Sequence, residues 1–294
     1  MKDTLTMGLT TMNWQYKSSE VDRLLNTHDL EIAAIDAGME ATVYKVWSTK
    51  LDIGFALKLW NKRNPPDVAK QYHLLEKLRE MGHSVSKPYA WGRNSKGEFV
   101  LLTSYDGKPL PFDLEAGSAQ TVAHLLASIH SADVRLLKGL VPQFDDFVNY
   151  FFPELSAHTD IAAVLHNIVG DIEIRTDRFI HGDFNLGNIL EYEGKFTVID
   201  WTNAQLGDSR YDFAWASFLI LLYSGPRCYE AFVKTYTNRI PLDAKEIYNF
   251  EMMACLRWIW LSRIAPIPKH KDTVTRLKQF IDHHRELQEV SLMY

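Results

Sequence analysis

With 294 residues, 46% of them apolar and 23% charged, the chain can bury a sizeable core, and disordered and fibrous classes are excluded. A formal net charge of −5 lacks the basic surplus of a dedicated nucleic-acid binder. The two cysteines, Cys228 and Cys255, stand outside any Cys-x-x-Cys pair, which argues against a disulfide framework or thiolate metal site and fits a reducing cytoplasm.

Residues 1–14 lack the apolar stretch of a signal peptide. Ser19, with Asp22 three residues on, opens a capping-box pattern before a short helix, "EVDRLLNTH". Three β-rich runs follow at 30–36, 41–48 and 54–60, separated by short Gly- or Asp-containing connections. "NPPD" at 64–67 breaks the chain and starts a helix that ends at Gly82. Two further strand-like runs, "SKPYAWGR" and "EFVLLTSY", complete a β-rich first lobe, residues 1–105.

From residue 106 the pattern turns helical, and residues 106–294 read as a second lobe. "AQTVAHLLASIHS" is amphipathic. The longest apolar run, 213–223, is too short to span a bilayer and reads as a buried core helix, so no membrane partner is expected. One β-hairpin interrupts the helices: "NILEYEGKFTVID", with a two-residue turn at Glu193-Gly194. The class is therefore α+β in two unequal lobes.

The hairpin gives its flanks a chemical meaning. If its arms pair about Glu193-Gly194, Asp200 lies beside Gly187 and Asn188, bringing a carboxylate and an amide oxygen to one mouth. A hard cation such as Mg²⁺ takes one or two such protein oxygens plus phosphate oxygens. Asp183, at the other end of the same loop, is placed to approach a hydroxyl.

Asp183-x-x-x-x-Asn188, a hairpin and then Asp200 resembles the catalytic core of protein-kinase-like enzymes. More narrowly, "HGDFNLGNIL…VIDW" resembles the aminoglycoside phosphotransferase and choline kinase-like family, with His-Gly-Asp and Ile-Asp-Trp as its signatures. The resemblance implies a protein-kinase-like fold with a small β-rich N-lobe and a larger, mainly helical C-lobe. It implies ATP and Mg²⁺ as cofactors, Asp183 as catalytic base, and Asn188 and Asp200 as metal ligands. It makes His181 a brace of the loop and Asp212 a buried support from the next helix. In the first lobe it implies a phosphate-covering turn around Gly38, Lys58 on the α- and β-phosphates, and backbone adenine contacts around Ser104 and Tyr105.

One position departs from that pattern. The helix glutamate that normally holds the lysine aligns with Gln71, which could still hydrogen-bond the lysine but carries no charge; Glu76 or Asp67 could serve if the register differs. A nucleotide-binding pseudokinase therefore stays open as an alternative. An atypical protein kinase is the runner-up among enzymes, placed behind a small-molecule kinase because residues 201–215 run almost at once into a helix and contain no Ala-Pro-Glu stop. The expected partners are a nucleotide and a small hydroxylated molecule such as an antibiotic, a choline-like amino alcohol or a sugar-like metabolite. Trp258 and Trp260 could offer ring faces to a quaternary ammonium or fill a core.

Overall fold

The structure of the chain, a computed structural model, describes residues 9–27, 29–36, 41–61, 65–270 and 272–292. The first half runs β1 (Asn13–Lys17), α1 (Ser19–Leu25), β2 (Leu30–Asp36), β3 (Thr42–Ser48), β4 (Ile53–Trp60), α2 (Val68–Glu80), β5 (Pro88–Arg93), β6 (Phe99–Ser104) and a two-residue β7 (Lys108–Pro109). There follow α3 (Ala116–His130), α4 (Phe147–Phe151), α5 (Thr159–Gly170), β8 (Arg178–Ile180), β9 (Ile189–Tyr192), β10 (Lys195–Val198) and β11 (Gln205–Gly207). Helices α6 (Ser209–Ser224), α7 (Pro226–Thr237), α8 (Ala244–Ile264) and α9 (Thr273–Asp282) complete the chain. The α+β class is as expected. Two compact units result, Met1–Lys108 with Glu191–Thr202, and Pro109–Leu190 with Asn203–Tyr294.

The first unit is built on a six-stranded antiparallel sheet in the order β1-β5-β6-β4-β3-β2. Period-2 alternation sends Val46, Phe55, Leu57, Val100 and Leu102 to one face, where Leu9 and α1 residues Val21 and Leu24 close the core. Helix α1 begins at Ser19, so Ser18 takes the N-cap position, and its side chain makes no capping bond. The sheet has one strand more than the sequence pattern indicates. β1, "NWQYK", is almost wholly exposed and carries no alternating signal; pairing with β5 supports it. Helix α2 is capped by Asp67, which accepts from the Lys70 amide, and buries Tyr72, Leu74, Leu75 and Leu78.

Residues 191–202 group with this sheet for a local reason. The hairpin turns at Glu193 (φ 50°) and Gly194 (φ 78°), the two left-handed residues of a type I′ turn. Its second arm then bonds back to the segment after α2, Val198 N–H donating to the Ser84 carbonyl at 2.9 Å.

The second unit is mainly helical. Helix α6 is buried from Arg210 to Ile220 and packs against α7 and α8, so the longest apolar run is a core helix. Strands β8 and β11 pair antiparallel at its edge. Among the described residues no helix is long and apolar enough to cross a membrane.

Candidate active site

On the first unit the site starts from strand alternation. Leu57 and Leu59 face away from Lys58, and register places Lys58 opposite Val43 and Leu101, with Ala56 opposite Thr103. Val43, Ala56, Lys58, Leu101 and Thr103 thus share the sheet face opposite the α1 core. Lys58 Nζ lies 2.7 Å from Asp200 Oδ1, the two side chains 22% and 38% exposed, and 5.1 Å from the Trp60 ring centroid. Asp200 adopts φ +62°, a conformation that non-glycine residues rarely take. Thr202 Oγ1 donates to the same Oδ1 at 2.8 Å, and the Trp201 indole donates to the Val198 carbonyl at 3.2 Å.

From α2, Gln71 reaches this arm. Its Nε2 donates to the Trp201 carbonyl at 3.1 Å, so the expected bond to Lys58 goes to backbone instead. Neither acid considered as a substitute takes up the lysine: Glu76 pairs with His73 at 3.0 Å and Asp67 caps the helix. Lys58 has its counter-charge in Asp200.

The Ser104–Asp106 segment is tightly held within the first unit. The Ser104 amide donates to the Lys87 carbonyl at 2.8 Å and the Tyr105 amide to the Gly54 carbonyl at 3.1 Å. The Ser104 hydroxyl donates to Asp106, as does that of Ser86 at 2.6 Å. Gly38 lies outside the described residues.

On the second unit the loop after β8 is shaped by Gly182. Its φ is +80°, and a Cβ there would strike the Asn203 carbonyl, so only glycine fits. Asp212, one turn into α6, accepts from the amides of His181 at 2.8 Å and Gly182 at 3.0 Å and pairs with His130 Nε2 at 3.2 Å. Complete burial pushes the Asp212 carboxyl upward in pKa, but His130 and the loop amides outweigh it and hold the group below its ordinary value. His181 Nδ1 accepts from the Asp183 amide at 3.3 Å, a bracing contact.

Asp183 presents unlike surroundings to its two oxygens. The Trp215 indole donates to Oδ1 at 3.0 Å, and Arg257 Nη2 lies 3.9 Å from that same oxygen. Asn188 Nδ2 donates to the Asp183 carbonyl at 2.9 Å and lies 3.4 Å from Oδ2. This turns the Asn188 amide nitrogen inward and leaves its oxygen as the group suited to a cation. A carboxylate held firmly at one oxygen, only loosely at the other and 30% exposed can take a proton from a hydroxyl with the loosely held oxygen.

Trp215 and Arg257 have no counterpart in the motif reading. Arg257 Nη1 donates to the Gly182 carbonyl at 3.2 Å and to Tyr211 Oη at 2.6 Å. Its guanidinium lies 4.6 Å from the Trp215 ring and 5.0 Å from that of Phe151. Burial lowers the Arg257 pKa, but Tyr211 and Asp183 overcompensate and keep it raised. A signal existed for both: Trp215 falls one helical turn after Asp212, and Arg257 is a cation inside an apolar run, as Lys58 is. Trp258 and Trp260, in contrast, are 3% and 6% exposed, and Trp258 donates to Tyr223 Oη at 3.0 Å. They are core residues and offer no ring face to a ligand.

Among the described residues no group of three or more His, Cys, Asp or Glu could cage a metal. A cation here would have to complete its shell from ligand oxygens and water.

No curated protein sequence matches the chain. Solved structures do. Amicoumacin kinase hAmiN, solved with AMP-PNP, Ca²⁺ and Ami, superposes with TM-score 0.63 at 15% identity, over 90% of this chain and 92% of that one. A thermostable mutant of aminoglycoside phosphotransferase APH(4)-Ia, in complex with AMP-PNP and hygromycin B, gives 0.62 at 16% identity, over 92% and 98%. Plasmodium vivax ethanolamine kinase gives 0.58 at 15% identity, over 88% and 84%. At these identities the likeness shows the fold, which is that of protein-kinase-like phosphotransferases. The model of the phosphotransferase enzyme family APH matches residues 31–247, most of the chain, and the protein belongs to that family.

Proposed function

We propose that the protein is an ATP- and Mg²⁺-dependent kinase that transfers the γ-phosphoryl group to a hydroxyl of a small molecule. The observation that carries this reading is the asymmetric seating of Asp183: Oδ1 is held by Trp215 at 3.0 Å, while Oδ2 takes only a long bond of 3.4 Å from Asn188 and keeps a lone pair for the acceptor proton. In this reading Lys58 holds the α- and β-phosphates. Asp200 and Asn188 supply metal oxygens, and the turn at Gly38 covers the phosphates. Adenine sits against the backbone of Ser104 and Tyr105, a segment whose amides are held by Lys87 and Gly54.

Each of the Asp200 and Asn188 oxygens, taken by itself, suits a hard cation. Asp200 already carries a positive group at 2.7 Å, and the Asn188 nitrogen is turned inward to Asp183. When bound, Mg²⁺ would neutralise charge on the β- and γ-phosphates. A small acceptor is supported by the short path from Asp200 to α6, which is taken up by β11 paired with β8 and leaves no room for a peptide platform. The named relatives, kinases of amicoumacin and ethanolamine and a phosphotransferase bound to hygromycin B, are consistent with that class. The two free cysteines, both buried, support a cytoplasmic setting.

The test is ATP turnover against aminoglycosides, macrolides, choline and amino alcohols, with Asp183→Asn as control. Phosphorylation of a panel member that disappears in Asp183→Asn is the expected result. Nucleotide binding without turnover on any acceptor would mark a pseudokinase, and phosphate appearing on an added protein would overturn the small-molecule acceptor.

A further inference from the structure

The departure at Gln71 has a chemical logic in the first unit. We propose that Gln71 is a positioning residue for Asp200, acting through the Trp201 carbonyl, and that it is a glutamine because its target is an acceptor. This rests on the reading of Asp200 as a metal ligand.

A backbone carbonyl can be satisfied only by a donor, which the Gln71 amide supplies at 3.1 Å. An ionised glutamate is acceptor-only and would set its lone pairs against those of the carbonyl. The need for such a tether follows from Asp200 itself, which stands at φ +62° without being a glycine and so must be held by its surroundings. Three bonds bracket it. The Trp201 indole reaches back to the Val198 carbonyl, Thr202 Oγ1 donates to the Asp200 carboxylate, and Gln71 fixes the carbonyl of the following residue.

The charge a helix acid would bring to Lys58 comes from Asp200, at 2.7 Å. Helix α2 therefore contributes a hydrogen bond to the metal-binding arm in place of a charge to the lysine. A glutamate introduced at position 71 should therefore damage the site.

The experiment compares wild type, Gln71→Glu and Gln71→Met. Mn²⁺ affinity in the presence of AMP-PNP is read by water-proton relaxation, AMP-PNP affinity without metal by calorimetry, and the unfolding midpoint by circular dichroism. Losing the donor while its carbonyl stays in place weakens Mn²⁺ binding on the order of tenfold in both variants. Metal-free AMP-PNP affinity stays at the wild-type value, and with an acceptor in hand kcat falls while the acceptor KM holds. A change confined to folding would move the midpoint without this split between metal and nucleotide. If Gln71→Met does not fold, the near-isosteric Gln71→Glu decides.

Gln71→Glu binding Mn²⁺ as well as or better than wild type would overturn the proposal. So would a loss of metal-free nucleotide affinity with Mn²⁺ binding intact, which would return Gln71 to the lysine. Wild type that binds no Mn²⁺ with AMP-PNP would instead sink the kinase reading itself.

Discussion

The two oxygens of Asp183 have different neighbours, and that asymmetry can be tested one atom at a time. Trp215→Phe keeps an aromatic ring and deletes the N–H that donates to Oδ1 at 3.0 Å. Hydrogen bonds to charged groups contribute about 1.5–3 kcal/mol, so kcat should fall roughly ten- to hundredfold with nucleotide KM little changed, as read by steady-state kinetics. Gly182→Ala meets both a left-handed backbone and the Asn203 carbonyl. It should cost on the order of 1–3 kcal/mol, seen as an earlier urea midpoint. Asp183, Asn188, Asp200 and Lys58 could be nominated as candidates because the spacing and flanks of each are local features. The contacts of Trp215 and Arg257 with Asp183 could not be read, because both approach it from helices 32 and more residues away.

At the scale of elements, the packing of α6, α7 and α8 contains a buried acid. Glu251 on α8 accepts from Ser217 of α6 at 2.8 Å and from Tyr229 of α7 at 3.1 Å. Burial pushes its carboxyl up from 4.5 to about 7, against the two hydrogen bonds. A folded-state pKa above the unfolded value means that the native protein binds the extra proton between those limits. Stability contributed by the protonated acid is therefore present below pH 4.5 and lost as pH rises through about 7. The shift corresponds to about 3 kcal/mol. Glu251→Gln should remove that slope and raise the unfolding midpoint at pH 8, checked by thermal melts from pH 5 to pH 8. The hairpin was readable at this scale because Glu193-Gly194 is a turn dictated by its own residues. Strand β1 was not, since its five residues are nearly all exposed and its pairing partner is β5, far along the chain.

For the whole molecule, Lys58, Gln71 and Asp200 all belong to the first unit, while Asp183 and Asn188 belong to the second. Nucleotide with metal should therefore protect β3, β4 and residues 191–202 from hydrogen exchange in the absence of any acceptor. Lys58→Met, which also takes away the counter-charge of Asp200, should abolish that protection. A ligand at a hundred times its Kd stabilises by about 2.7 kcal/mol, enough for a clear rise in the melting midpoint.

By itself the sequence determined the α+β class, the hairpin turn, the core character of the 213–223 run and the spacing of Asp183, Asn188 and Asp200. Each follows from residues a few positions apart, where backbone geometry and periodicity act directly. The tertiary structure decided the partners: Lys58 with Asp200 across 142 residues, Gln71 with a carbonyl in place of the lysine, Trp215 and Arg257 with Asp183, and Trp258 and Trp260 as core. Such choices depend on which side chains the packing of remote elements brings within hydrogen-bond reach, and no local pattern encodes that distance.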